Sequence, residues 1–261
     1  MNTIKNIALT ILSSTVFFSC SNDDDTNSNN IVSNDASITF DARVGASDFA
    51  LDTPFTINGA TYQFDNLRYW VSNIELVNTN NETKQLNDSY FLLEETKAIA
   101  VQEGDFTYPA KKRETINVTG LPTGKYTKIR FSVGVDALYN DNLSLQAGEL
   151  SQLNGMTNIS WMWHTSYIFS SLVGKNTASN QAIVVETGLN ANYRTVEITL
   201  ATPFEVKANQ TNALSLNVDV AKIIDGIDLV ATPTVSASTP TVMSSVANNF
   251  RDKVFTQKTV E

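Results

Sequence analysis

From about residue 36 onward, apolar and polar side chains alternate at a period of two, the spacing at which a strand sends successive residues to opposite faces of a sheet. Ile38, Phe40 and Ala42 mark a first strand within Ser37–Val44. Asn58-Gly59 lies between Phe55–Ile57 and Thr61–Phe64. Both central residues of a type I′ turn need positive φ, so this pair predicts a two-residue hairpin. Further strands are expected at Asn66–Val77, Ser89–Glu94 and Glu114–Val118. After a turn at Leu121–Lys125, Ile129, Phe131, Val133 and Val135 alternate with Arg130, Ser132 and Gly134. Gln181–Glu186, Tyr193–Leu200 and Asn212–Val220 continue the pattern, and Val220–Asp225 reads as a short helical piece. Val242, Met243, Val246, Phe250 and Val254 change to helical spacing and predict one amphipathic C-terminal helix. The expected class is all-β: an antiparallel β-sandwich, or open barrel, of about nine or ten strands closed by that helix.

One stretch breaks the alternation, and the next carries the chemistry. Asp136–Asn154 sets isolated leucines among Asn, Asp, Gly and Gln, which predicts a long loop with a helical turn or two. It leads into Gly155–Gly174, which contains Trp161, Trp163 and His164, the single histidine of the chain. Read as a strand, this segment turns Trp161, Trp163, Tyr167 and Phe169 to one face and Met162, His164 and Ile168 to the other. A thioether beside an imidazole suits a soft metal such as copper(I). The plainer reading is an aromatic central strand whose histidine sits in a satisfied, partly buried position. Trp70, beside Tyr69, reads as core, and Asp136 and Asn140 as residues that fix the loop backbone through local hydrogen bonds.

The first residues have a different logic. A cationic Lys5, the apolar run Ile7–Phe18 and a small residue before Cys20 form a lipoprotein signal peptide over residues 1–19, too short to stay in a bilayer as a helix. Residues 20–35 are polar and acidic and read as a disordered tether from a lipidated Cys20 to a single domain over 36–261. With no second cysteine, no intrachain disulfide can form. The formal charge of −9 becomes −10 when residues 1–19 leave with Lys5 and no acid. That surface excludes nucleic acid as a partner and leaves acyl chains as the means of membrane attachment.

Five fragments together resemble the MbnP-like copper-binding family: Leu67–Leu76 (LRYWVSNIEL), Phe131–Asp136 with Asn140, Gly155-Met156 with Trp161–Trp163 and Tyr167, Gly188–Arg194, and Val246–Phe250 with Val254-Phe255. The Ser-Cys-Ser-Asn-Asp-Asp-Asp start is similar to Bacteroidetes-type lipoproteins. The resemblance implies an exported copper-binding β-sandwich anchored in the outer membrane, facing either the periplasm or the exterior. It also implies a tryptophan oxidised to kynurenine near the metal, here Trp163 or Trp161, and a partner di-haem enzyme of the MauG type. With a lone histidine a two-histidine site is excluded, so the copper ligands expected are His164, Met162 and, as a hard oxygen donor, Glu186. The alternative is a metal-free recognition or scaffold lipoprotein that keeps the fold and uses the aromatic face for a partner. Enzymatic function is not expected: there is no Gly-x-Ser-x-Gly, no phosphate-cradling Gly loop and no Cys/His zinc spacing.

Overall fold

Strands form where the alternation predicts them. In the computed structural model, which describes residues 34–101, 106–158 and 166–258, the first half of the chain runs through β1 (Ala36–Val44), β2 (Ser47–Asp48), β3 (Phe55–Ile57), β4 (Ala60–Asn78), β5 (Thr83–Gln85), β6 (Tyr90–Thr96), β7 (Ile99–Val101), β8 (Phe106–Tyr108), β9 (Lys111–Arg113), β10 (Thr115–Val118) and β11 (Gly124–Val133). Helix α1 (Ala137–Asn140) precedes β12 (Thr157–Asn158), β13 (Ser166–Asn176), β14 (Ala182–Gly188), β15 (Arg194–Val206) and β16 (Asn212–Asp219). The chain closes with α2 (Val220–Ile223), β17 (Thr234–Val235), α3 (Pro240–Asn249) and β18 (Phe255–Gln257). The expected hairpin turn is present, with Asn58 and Gly59 both at positive φ.

A smaller sheet has the order β10-β1-β16-β18, and a larger one β15-β11-β4-β13-β14-β17 with shorter strands along it. The expected antiparallel pairing holds for most neighbours. The exceptions are β1, which pairs parallel with β16 from Ala36↔Asn212 to Arg43↔Asp219, and the short β14–β17 pair. A parallel pair needs a long crossover, and for β1 and β16 the larger sheet, all but β17, lies within it.

The long strand β4 decides which residues see which side. Its core-facing residues are Tyr62 and Phe64, then Leu67, Tyr69 and Val71, then Ile74 and Leu76, so the phase slips twice. The slips coincide with register shifts against β13 near Asn66 and against β11 near Asn73, the latter at φ +51°. Strict alternation after Val71 would have driven Asn73 and Glu75 into the core. The bulge at Asn73 avoids that, and Arg68, Trp70 and Ser72 face away from the sandwich interior.

Two apolar clusters result, one on each side of β4. The main core lies between the sheets, where Phe131 meets Phe40 edge-on at 5.4 Å and Phe255 at 5.0 Å. Met243, Val246, Phe250 and Val254 of the C-terminal helical segment close it. A satellite cluster of Trp70, Tyr90, Leu92, Val135, Tyr167, Phe169 and neighbours lies between the outer face of β4 and the loop after β11. The expected aromatic face is corrected here for its described half. Tyr167 and Phe169 are fully buried, so they offer no surface to a partner. Tyr167 packs edge-on against Trp70, and Phe169 lies so close to Gly134 that a Cβ there would fall 2.6 Å from its ring.

Candidate functional site

Cys20, Trp161, Met162, Trp163 and His164 lie outside the described residues. Glu186 lies within them, as do both ends of the connection that carries His164. Residues 159–165 join β12 to β13, which pair antiparallel through Thr157↔Tyr167 and Asn158↔Ser166.

Each end is held by a buried polar side chain from elsewhere in the fold. Before the connection, Arg68 on β4 donates through Nη2 to the Asn154 carbonyl at 2.7 Å. The Asn154 side chain accepts from the Met156 amide at 2.9 Å, and the Met156 carbonyl accepts from the Ile168 amide of β13. Gly155 makes this corner at φ +72°, and a Cβ on it would meet Val101 at 2.6 Å. After the connection, the Asn140 side chain accepts from the Tyr167 amide at 2.8 Å and donates to Asn190. The expectation of a purely local role for Asn140 therefore falls short, because its acceptor oxygen serves a strand 27 residues away.

Arg68 is held in turn. It forms a fully buried ion pair with Glu94 on β6, with Nε and Nη2 both 2.9 Å from Oε2. The other Glu94 oxygen accepts from the Tyr108 hydroxyl at 2.5 Å and faces Lys111 at 3.3 Å. Burial, then the hydrogen bond to Glu94, raise the Tyr108 phenol above its ordinary range, so it remains a donor. The neighbouring cations Lys111, Lys112 and Arg113 are each paired with an acid: Glu94, Glu95 and Glu149.

Glu186 belongs to the same face. It pairs with Ser171, Ser171 with Arg68, Arg68 with Glu94, and Glu94 with Arg113, so one polar row crosses five strands. Desolvation raises the Glu186 carboxyl above the usual carboxylate range, opposed only by a 3.3 Å hydrogen bond from Ser171. Among the described residues no cation forms an ion pair with it. Ser171 stands five residues beyond Ser166, roughly 17 Å along an extended strand. Glu186 thus lies well up the sheet from the point where the His164 segment joins β13, a separation that alternation alone does not reveal. As a donor it is a hard oxygen, acceptable to copper(II) and poor for copper(I).

Among the described residues one group of acids has metal-ligand spacing, Asp41, Asp48 and Glu114, with oxygens within 4.8 Å of one another. Its charge is already met. Lys258 and Arg43 approach Asp41 at 2.6 and 3.3 Å, and Lys112 lies 3.7 Å from Asp48 and 4.0 Å from Glu114. An all-oxygen set is also the wrong chemistry for copper(I).

Asp136 does more than the local role the sequence suggests. It caps α1 locally through the Leu138 amide at 3.2 Å, and it also accepts from Asn73 at 3.1 Å and from the Tyr90 hydroxyl. Asn73, turned by the bulge, donates to the Tyr193 hydroxyl at 2.6 Å. Four of the five sequence fragments quoted above therefore meet around one end of β4 and β13.

A family model described as MbnP matches residues 33–244. The chain is similar in structure to MbnP from Methylosinus trichosporium, with 17% sequence identity and a TM-score of 0.50 over 75% of this chain and 79% of that one. No curated protein matches it.

Proposed function

The chain belongs to the MbnP family, and on that premise we propose that it is an exported copper-binding protein, anchored to the outer membrane by acyl chains on Cys20. His164 and Met162 are the principal donors, with Glu186 as an oxygen donor for copper(II). The bound ion would supply a redox-active centre beside Trp161 and Trp163, whose oxidation is assigned to a di-haem partner of the MauG type. The protein has no catalytic site of its own in this reading.

The observation that supports it is the state of Glu186: a desolvated carboxylate, without an ion pair among the described residues, on the strand beside the one into which His164 leads. Such a group is costly unless a cation relieves it. The two anchors, Arg68 of β4 at Asn154 and Asn140 of α1 at Tyr167, hold the ends of the ligand-bearing segment. The 17 Å of strand between Ser166 and Ser171 makes Glu186 the ligand most exposed to disproof.

Titrating the metal-free protein with copper(I) and copper(II) separately tests the assignment. Saturable binding tighter than micromolar is expected, abolished in His164→Ala, with Glu186→Gln weakening copper(II) alone. Failure of both ions to saturate leaves the metal-free recognition or scaffold lipoprotein, and binding unchanged in His164→Ala removes the site assigned to His164. Intact mass and metal analysis of protein from its native envelope report acylation, copper and any oxidised tryptophan in one sample.

A further inference from the structure

The bulge at Asn73 opens a cavity on the side of β4 that faces β11, remote from the Arg68–Glu94 pair. Its volume is about 470 Å³, and Tyr90, Tyr139, Tyr193, Asp136, Glu75 and Arg130 lie on its wall. Three phenol rings meet in one small space. Tyr90 and Tyr139 stand at 5.0 Å and 60° to one another, and Tyr193 is set edge-on against Phe169 behind it. Tyr139 and Tyr193 are only half-buried, so part of each ring is open to an occupant.

Charge in the cavity is unbalanced. Arg130 is drawn to Glu197 at 2.5 Å and to Glu75 at 3.7 Å, on the flanking side of the sheet. Asp136 has no ion pair among the described residues; its oxygens accept only from neutral donors, Asn73, Tyr90 and the Leu138 amide. Burial, and then the hydrogen bond to Asp136, push the Tyr90 phenol far above its ordinary range, so Tyr90 stays a neutral donor to that carboxyl. Leu138, 62% exposed, forms an apolar lip.

We propose that this cavity binds an organic cation, an ammonium or guanidinium group seated against the Tyr139 and Tyr193 rings with Asp136 as its counter-ion. A cation over an aromatic face is attracted by the ring quadrupole, and more strongly as water is excluded. A bare metal ion would find one carboxylate without an ion pair, since Glu75 is drawn to Arg130, and a neutral sugar would leave the Asp136 charge unanswered. The site involves none of the copper donors, so it stands or falls independently of the copper assignment.

The test uses the full metal-free chain and three probes: choline, agmatine and 3,3-dimethylbutan-1-ol, the uncharged carbon isostere of choline. Calorimetry, with amide shifts at Asn73, Leu138 and Tyr139, should show saturable binding of choline or agmatine and binding of the isostere weaker by about tenfold or more. Preference for choline identifies a quaternary ammonium site; where agmatine is preferred, a comparison with butylguanidine and butylamine tells whether its guanidinium or its ammonium end is seated. Asp136→Asn and Tyr139→Ala should each lower affinity by about tenfold, while Tyr139→Phe, which keeps the ring face, should retain it. An isostere that binds as well as the cations, the lack of saturation by either cation, or full affinity in Asp136→Asn overturns the proposal. The isostere comparison uses the unaltered protein, so it decides the matter even if a variant does not fold.

Discussion

The main core and the satellite cluster lie back to back on β4, yet they are built on opposite principles. Between the sheets, β4 contributes Phe64, Leu67, Tyr69, Val71, Ile74 and Leu76 to an almost wholly apolar interior. On its other side, Arg68, Trp70 and Ser72 meet a loop, and the buried set there includes Glu94, Asn140, Asn154 and Ser166. Trp70 Nε1, Ser166 Oγ and Tyr167 Oη are buried on that side with no hydrogen-bond partner among the described residues. The main core makes the fold; the polar side fixes the two ends of the connection between β12 and β13.

The largest effect that separates the two regions should come from the apolar side. Phe131→Ala removes a ring in contact with Phe40 and Phe255, and should cost about 3–5 kcal/mol. Chemical denaturation should show one cooperative loss across the molecule, and hydrogen exchange should quicken in both sheets. Arg68→Met strands a buried Glu94 and should cost about 3 kcal/mol, with the earliest loss of exchange protection at Met156 and Ile168. The double change Arg68→Met with Glu94→Leu should recover most of that stability, because an apolar pair replaces an ion pair at little net cost. If the single and double variants are equally unstable, the loss comes from the Arg68–Asn154 hydrogen bond that both lack and not from an unpaired Glu94.

What could be read from the sequence divides along the same line. Period-two alternation found β1, β4, β6, β10, β11, β14, β15 and β16, Asn58-Gly59 found its hairpin, and the C-terminal helix lay where Val242–Val254 placed it. Gly155–Gly174, read as one strand, instead holds β12 and β13 paired antiparallel to each other. Alternation reports one face at a time, so it could not show that β4 slips phase at Asn66 and Asn73 or that Arg68 is buried. A buried arginine looks like a surface arginine until its partner is known, and Glu94 is 26 residues away. The long reach of Asn140 to Tyr167 was hidden for the same reason. Asp136 and Asn140 stood out as residues of one fragment, but only the packed fold shows which strands they hold. The parallel β1–β16 pair was invisible because it joins the two ends of the domain.

A smaller effect tests the anchor after the connection. Asn140→Ala leaves the Tyr167 amide without its acceptor, and an unpaired buried amide costs about 1–3 kcal/mol. The loss should stay local: exchange at Tyr167 should quicken while the midpoint of denaturation moves less than for Phe131→Ala. Equal protection in variant and parent would show that Asn140 does not hold that end.

The smallest effect is a pH dependence at Glu186. Its pKa is raised in the folded chain by desolvation, so folding favours the protonated form. The stability from this group is fully present below the unfolded carboxylate range, near pH 4.3, and is lost as pH rises through the folded pKa. Glu186→Gln mimics the protonated group, so the metal-free variant should be more stable than the parent at neutral pH, with the difference shrinking toward zero in acid. Copper(II) should reverse the order at neutral pH, since only the parent gains a cation on that oxygen. A variant less stable than the metal-free parent at neutral pH would mean that the carboxylate is already satisfied, and Glu186 would then have no stake in the metal.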